Sequence, residues 1–223
     1  MAFNTAKNIL VGASPLYLSA TDSTDSGYKE NLLDRATGKI SFTKGASAKA
    51  ALDASTDVRN VGYTNNGLQI TYNPTYGSVT VDQLLDTAKL FKESMEVMIA
   101  TEMAEGTLEN VLAVFGQPSS TLSGTLAKGS TSADNTDQTL GLAAGALGIA
   151  PTERQLFAVG QAPTVVDPNT ERVYYARRVL SVQQSQFSLA RNNPTTFPVT
   201  FRLLPDANYS GAEYGKIIDR VNA

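Results

Sequence analysis

The sequence predicts a mainly β, α+β fold: a β-sandwich or partial barrel of two sheets with one flanking α-helix. Three observations carry that expectation. Apolar and polar residues alternate with a period of two over Leu68–Asn73, Ser78–Asp82 and Ser94–Glu102. The period then changes, with Leu108, Val111, Leu112 and Phe115 at i, i+3, i+4 and i+7. That is one stripe of a short helix over about 107–115, which Thr107 can cap and Gly116 can end. Strand patterns return at Gln155–Val159, Arg172–Leu189 and Val199–Leu203.

Taken in chain order, Ile9–Leu18 is a first strand candidate, broken at Ser14-Pro15. Residues 19–60 are small, charged and poor in apolar periodicity, which marks a long loop or arm; Ile40-Ser41-Phe42 is its one alternating fragment. Asn73-Pro74-Thr75-Tyr76-Gly77 reads as a turn joining two antiparallel strands. In the strand after it, Met95, Val97 and Ile99 share one face, and Glu96, Ala100 and Glu102 the other. A soft segment at about 117–135, dominated by Ser, Thr, Gly and Ala, reads as a flexible surface excursion. Leu140, Ala144 and Leu147 fit a weak helix that Gly141, Gly145 and Gly148 undermine. Asp167-Pro168-Asn169 marks a turn. The run from Arg172 to Leu189 is nearly twice a typical strand, so a bend or bulge is expected near Ser181. At the end, Ser210 and Glu213 form a capping-box pattern flanked by Tyr209 and Tyr214. Tyr214, Ile217, Ile218 and Val221 then repeat the helical stripe, giving a short C-terminal helix over about 211–221. No internal repeat is present, and 1–223 reads as a single domain.

Composition narrows the chemistry. At 223 residues the chain can bury a core of its own. The formal net charge is −3, but residues 61–117 hold seven acidic groups against two basic ones. No basic block suggests a grip on nucleic-acid phosphates. The chain has no cysteine and no histidine, so disulfides, thiolate nucleophiles, imidazole bases and Cys/His metal sites are absent by inventory. No cysteine in a chain of this length fits assembly in a reducing cytoplasm. Met1–Lys7 has no charged-then-apolar leader pattern, and the most apolar run, Leu140–Ala150, is too short and glycine-rich to span a bilayer.

Enzyme templates fit poorly. The Gly124–Ser130 stretch has the wrong order for a phosphate loop, and Gly141, Gly145 and Gly148 miss the dinucleotide spacing. Asp22, Asp25 and Gly27 lack the alternating acids of a calcium loop. Glu96 and Glu102 share a strand face, but six residues of strand separate them by roughly 20 Å, beyond the reach of a glycosidase pair. The expectation is a protein that is not an enzyme and holds no cofactor or metal.

Val61–Leu68, Tyr72, Val79–Gln83, Glu96–Glu102 and Thr107–Asn110, with the closing Phe197–Asp206, resemble the major tail tube protein of long-tailed, non-contractile bacteriophages. The resemblance implies a virion protein of the tail, assembled in the host cytoplasm. Family members stack in rings, commonly of six, and each subunit lends about four strands to an inner barrel. About 24 strands at ~4.8 Å spacing and up to ~45° tilt enclose a backbone diameter of roughly 37–52 Å, enough for duplex DNA. The partners implied are further copies of the chain, the tape-measure protein, the tail terminator, the distal tail or baseplate proteins, and viral DNA passing without sequence-specific contacts; no membrane is implied. The long loop would reach the next ring, with Lys29, Asp34, Arg35, Lys39 and Lys44 as stacking candidates.

The polar face of the sheet is the candidate lumen lining, with Gln69, Thr71, Asp82, Glu96 and Glu102 as its principal residues. It is expected to continue through Asn73, Ser78, Thr80 and Ala100 and to hold no lysine or arginine. A surface without cations has nothing to hold a phosphate. Two other readings compete. One is the tube protein of a contractile tail or related injection machine. The other is an acidic β-sandwich binding module for a surface glycan or protein, weakened by the lack of tryptophan and of any aromatic cluster in the loops.

Overall fold

A computed structural model describes residues 12, 14–33, 40, 42, 45–83, 86–124, 137–144, 148, 150–163, 169–189 and 191–221. The fold is mainly β, with a large antiparallel sheet of eight strands and a small sheet of two. The strands are β1 (Leu16–Ser19), β2 (Val58–Asn60), β3 (Thr64–Val79), β4 (Lys89–Met103), β5 (Leu122–Ser123), β6 (Thr139–Leu140), β7 (Arg154–Gln161), β8 (Thr170–Ser181), β9 (Phe197–Leu203) and β10 (Gly215–Val221). Two helices accompany them, α1 (Ala48–Asp53) and α2 (Leu108–Val114). The large sheet runs β2-β1-β7-β8-β9-β4-β3, with β10 also paired to β8; β5 and β6 form the small sheet.

Strand β8 is where the sheet divides. One edge carries β7. The other carries β10 against Thr170–Ala176 and β9 against Val179–Ser181. One core lies between the two limbs and combines Leu16, Leu18, Leu156, Ala158 and Val179 with Val97, Ile99, Met103, Val199 and Phe201. A second core lies on the opposite face of β1, β7 and β8, where Tyr17, Phe157, Val173 and Tyr175 meet Leu32, Ile40, Ala48 and Leu52. Period-two alternation therefore feeds two cores, and β7 is buried continuously from Arg154 to Val159.

Helix α2 follows the expected design. Thr107 caps it, its hydroxyl accepting from Asn110 N, and Gly116 takes φ 63° just beyond the Phe115 C-cap. Its buried residues are Asn110, Leu112, Ala113 and Val114, whereas Phe115 is exposed. Asn110 is a clamp: its amide donates to the carbonyls of Val61 and Glu105, and its Oδ1 accepts from Arg59 Nη1 at 2.6 Å. Burial depresses the Arg59 pKa to about 10, and the carbonyl of Glu109 accepts its second guanidinium nitrogen.

Four expectations need correction. The C-terminal segment is strand β10, not a helix over 211–221. Ile217, Ile218 and Val221 are β-branched, and seven backbone pairs along the open edge of β8 offer what an isolated helix lacks. The Tyr214–Val221 stripe thus serves the ladder, and Glu213 accepts from Gly211 N in a turn. Next, Asn73–Gly77 is no turn; β3 runs unbroken through it, tolerating Pro74 because β3 is an edge strand with no ladder on its far side among the described residues. The loop 19–60 contains α1 and β2, and its Leu32, Ile40 and Leu52 are buried in the second core. Leu140 lies in β6 rather than a helix; Gly145 to Leu147 fall outside the described residues. Strand β8 ends at Ser181, the expected place of a bend, and Val182–Leu189 carry no strand.

The loop at 20–28 is anchored by a buried ion pair. Asp22 accepts from Arg154 Nη2 at 2.9 Å, Ser119 N at 2.6 Å and Thr24 N at 2.9 Å, and its side chain is fully buried. Burial alone raises a carboxyl pKa, but the hydrogen bonds from Thr24 and Ser119 and the Arg154 charge hold Asp22 below its ordinary value. A depressed folded-state pKa contributes stability above the unfolded value of about 3.9 and loses it as the pH falls through the folded one. Asp22→Asn is expected to cost about 3–5 kcal/mol in urea denaturation at pH 7, because it strands Arg154. The variant's stability should also fall less steeply than wild type below about pH 4.

Gly215 gives a second test. At φ 148° a Cβ there would collide with the Tyr175 carbonyl oxygen. Gly215→Ala should detach the start of β10, costing on the order of 1–3 kcal/mol. Hydrogen exchange should show lost protection in β10 and in the facing half of β8.

Candidate functional site

The site is a sheet face rather than a cleft. In β4, Val97, Ile99, Thr101 and Met103 are buried, while Glu96, Met98, Ala100 and Glu102 point the other way and are half-buried. The register carries this second face across its neighbours. Asn73 lies opposite Glu96, Thr71 opposite Met98, Gln69 opposite Ala100 and Asn65 opposite Glu102. On the other side Arg202, Thr200 and Pro198 lie opposite Met98, Ala100 and Glu102. The result is one polar face, three strands wide.

Four of the five sequence-derived lining residues share this face. Gln69 and Thr71 are exposed, Glu96 is paired with Arg202 at 3.5 Å, and Glu102 accepts from Asn65 Nδ2 at 3.1 Å. Asp82 does not join them: it lies in the turn beyond β3, at the tip of the β3–β4 hairpin. Ser78 pairs with Leu90 on the opposite face, and Thr80 follows the end of β3. The face is also not free of cations, since Arg202 belongs to it. Its place depends on the β9–β4 register, which local alternation does not report. Arg202 is bound to Glu96, so the charge between Asn65 and Thr75 and across to β9 is Glu96, Glu102 and Arg202, net acidic. Gln183 and Gln184, from the chain after β8, help line a polar hollow of about 260 Å³ on the same face.

Irregular backbone shapes this surface. Asn66 and Gly67 adopt φ 59° and 69°, and three residues, Asn66-Gly67-Leu68, oppose the single Thr101. The Thr101 hydroxyl ties the bulge down by donating to the Gly67 carbonyl at 2.8 Å. A bulge increases local twist, so the face curves rather than lying flat.

The opposite face of the hairpin is largely apolar, interrupted by Lys92 and Ser78, and leaves the protein body. Ile99 opposite Ile70, Val97 opposite Tyr72 and Met95 opposite Pro74 continue outward to Tyr76 and Leu90. Strand β9 stops supporting β4 at Met98, so the outer half of the hairpin has no third strand among the described residues. Tyr72, Tyr76 and Leu90 are consequently exposed.

Of the stacking candidates, Lys29 is bound within its own loop to Asp57 at 2.7 Å. Asp34, Arg35, Lys39 and Lys44 lie outside the described residues. Among the described residues no group of three His, Cys, Asp or Glu side chains could hold a metal ion, and no helix is long and apolar enough to cross a membrane. A scan against protein-family models finds no match to the chain, and a search of curated proteins likewise finds none.

The Glu96–Arg202 pair is partly exposed, so its effect on stability is small. Arg202→Ala should change the unfolding free energy by less than about 1 kcal/mol in chemical denaturation. A larger loss would assign Arg202 a packing role.

Proposed function

We propose that this chain is a structural subunit of a bacteriophage tail tube, working as the wall of a passage for the genome. One observation carries the reading: between Asn65 and Thr75 and across to β9, the β3–β4–β9 face is broad, curved and net acidic, with Arg202 bound to Glu96. Such a surface lets a polyanion slide past, because over that span Arg202 is the one cation among the described residues and Glu96 holds it; Lys89, opposite Val79, lies farther out on the hairpin. The other side of the same hairpin supports the reading independently. A monomer gains nothing from an exposed apolar stripe beside unpaired strand edges, whereas a closed assembly buries both. Rings of about six copies stacked head to tail follow from the family resemblance, as do the tape-measure, terminator and baseplate partners.

Purified protein is expected to form rings or hollow rods in negative-stain micrographs as concentration rises. A strictly monomeric protein across concentration and salt would overturn the reading. Glu96→Lys with Glu102→Lys should leave thermal melting within a few degrees of wild type. In virions it should reduce DNA ejection at least tenfold, since each subunit then presents both introduced lysines and a released Arg202 to passing phosphates. Normal infectivity would place this face away from DNA.

A further inference from the structure

The two limbs that part at β8 leave an open apolar mouth of about 210 Å³. Ile70 and Tyr72 border it from β3, Met95 from β4, and Tyr214 and Ile217 from the chain entering β10. Ile217 is 66% exposed there and Val221, on the same side of β10, is also uncovered. At the far end of the hairpin the reverse shape occurs: Leu90 is 64% exposed, with Tyr76 beside it on the same face. We propose that the β3–β4 hairpin tip of one copy docks in the β10 mouth of a second copy, with Leu90 and Tyr76 covering Ile217 and Val221.

Four features identify the occupant. The tip cannot fill its own mouth, because Ser78, which faces Leu90, lies six residues from Tyr72 along a continuous strand, about 20 Å away. The mouth is large enough to admit one ring-sized side chain of the tip, since an apolar cavity of about 150 Å³ already accepts a benzene ring. The charges suit each other: the tip is net acidic, with exposed Asp82, Asp86 and Glu93 against Lys89 and Lys92, while Lys216, exposed at the rim, has no ion pair among the described residues and Asp219 on the floor is held by Arg172. Finally, β10 has no strand on its outer edge among the described residues, so the incoming hairpin finds open backbone groups as well as an apolar floor. Knob and socket are different surfaces of one chain, so the contact is head-to-tail and propagates from copy to copy. The inference rests on the tube reading for the expectation of many copies, and it deepens that reading by naming the contact.

The absence of native cysteine makes the test clean. A Leu90→Cys, Ile217→Cys double variant, oxidised under mild conditions, should give a ladder of covalent oligomers on a denaturing gel. Mixing the two single variants should give a dimer and nothing longer. Leu90→Ser with Tyr76→Ser, both at exposed positions, should raise the concentration needed for assembly at least tenfold without altering the melting temperature. Dimers from Leu90→Cys alone, as abundant as those from the mixture, would mean tip-to-tip contact and overturn the proposal. A fast-migrating internally bridged monomer, or no cross-link at all, would overturn it too. Rods on the grid without a ladder would reject this contact and leave the tube standing; a ladder without rings or rods would do the opposite.

Discussion

Strand β8 has two edges, and three strands divide them. Because β10 takes the first part of one edge and β9 the last, the sheet cannot remain a single ribbon. It separates into limbs that enclose a core near β9 and gape near β10. The close approach of Gly215 to the Tyr175 carbonyl is what allows β10 to seat beside β8. The direction of β4, the overhang of the hairpin and the mouth beneath it are consequences of that division.

The rest of the molecule stiffens the junction. β1 and β7 are covered on both sides, and where the loops cross them, several buried polar groups meet protein partners. Gln155 accepts from Leu32 N and from the Tyr175 hydroxyl, and its amide donates to the Lys29 carbonyl. Asn31 donates to the Tyr209 hydroxyl, whose ring stacks under the Arg177 guanidinium at 3.6 Å. Such bonds fix loops in place, since breaking one strands a buried donor or acceptor, although the network leaves Arg177 Nη1 and the Tyr28 hydroxyl buried without a hydrogen bond.

Much of this was legible in the residue pattern, and the failures have physical causes. The faces of β4 were readable because Val97 and Ile99 fall on one parity and Glu96 and Glu102 on the other. Helix α2 was readable because its cap, stripe and terminating glycine agree. β10 was not, since Tyr214, Ile217, Ile218 and Val221 satisfy a helical stripe equally well and only the vacancy beside β8 decides between them. Asn73–Gly77 misled because turn residues signal locally, while an edge position permits proline in a strand. Arg202 was missed for a different reason: its neighbours come from a register between strands about a hundred residues apart. Helix α1 is only six residues long and lacks an apolar stripe, but Ser47 caps it and Glu171 accepts from Ala48 N.

The second irregularity in the hairpin, between Thr75 and Tyr76, has a quiet effect. Counting by twos down from Glu96 would set Leu90 and Lys92 among the glutamates. Glu93 stands outside the ladder and absorbs one step, so Lys92 comes to lie against Tyr72 and Met95 instead. A single unpaired residue thus re-phases everything distal to it. Losing Glu93 would close the ladder and leave the two sides in phase, whereas one further residue inserted or lost beyond that would exchange wet side for dry along the remaining length.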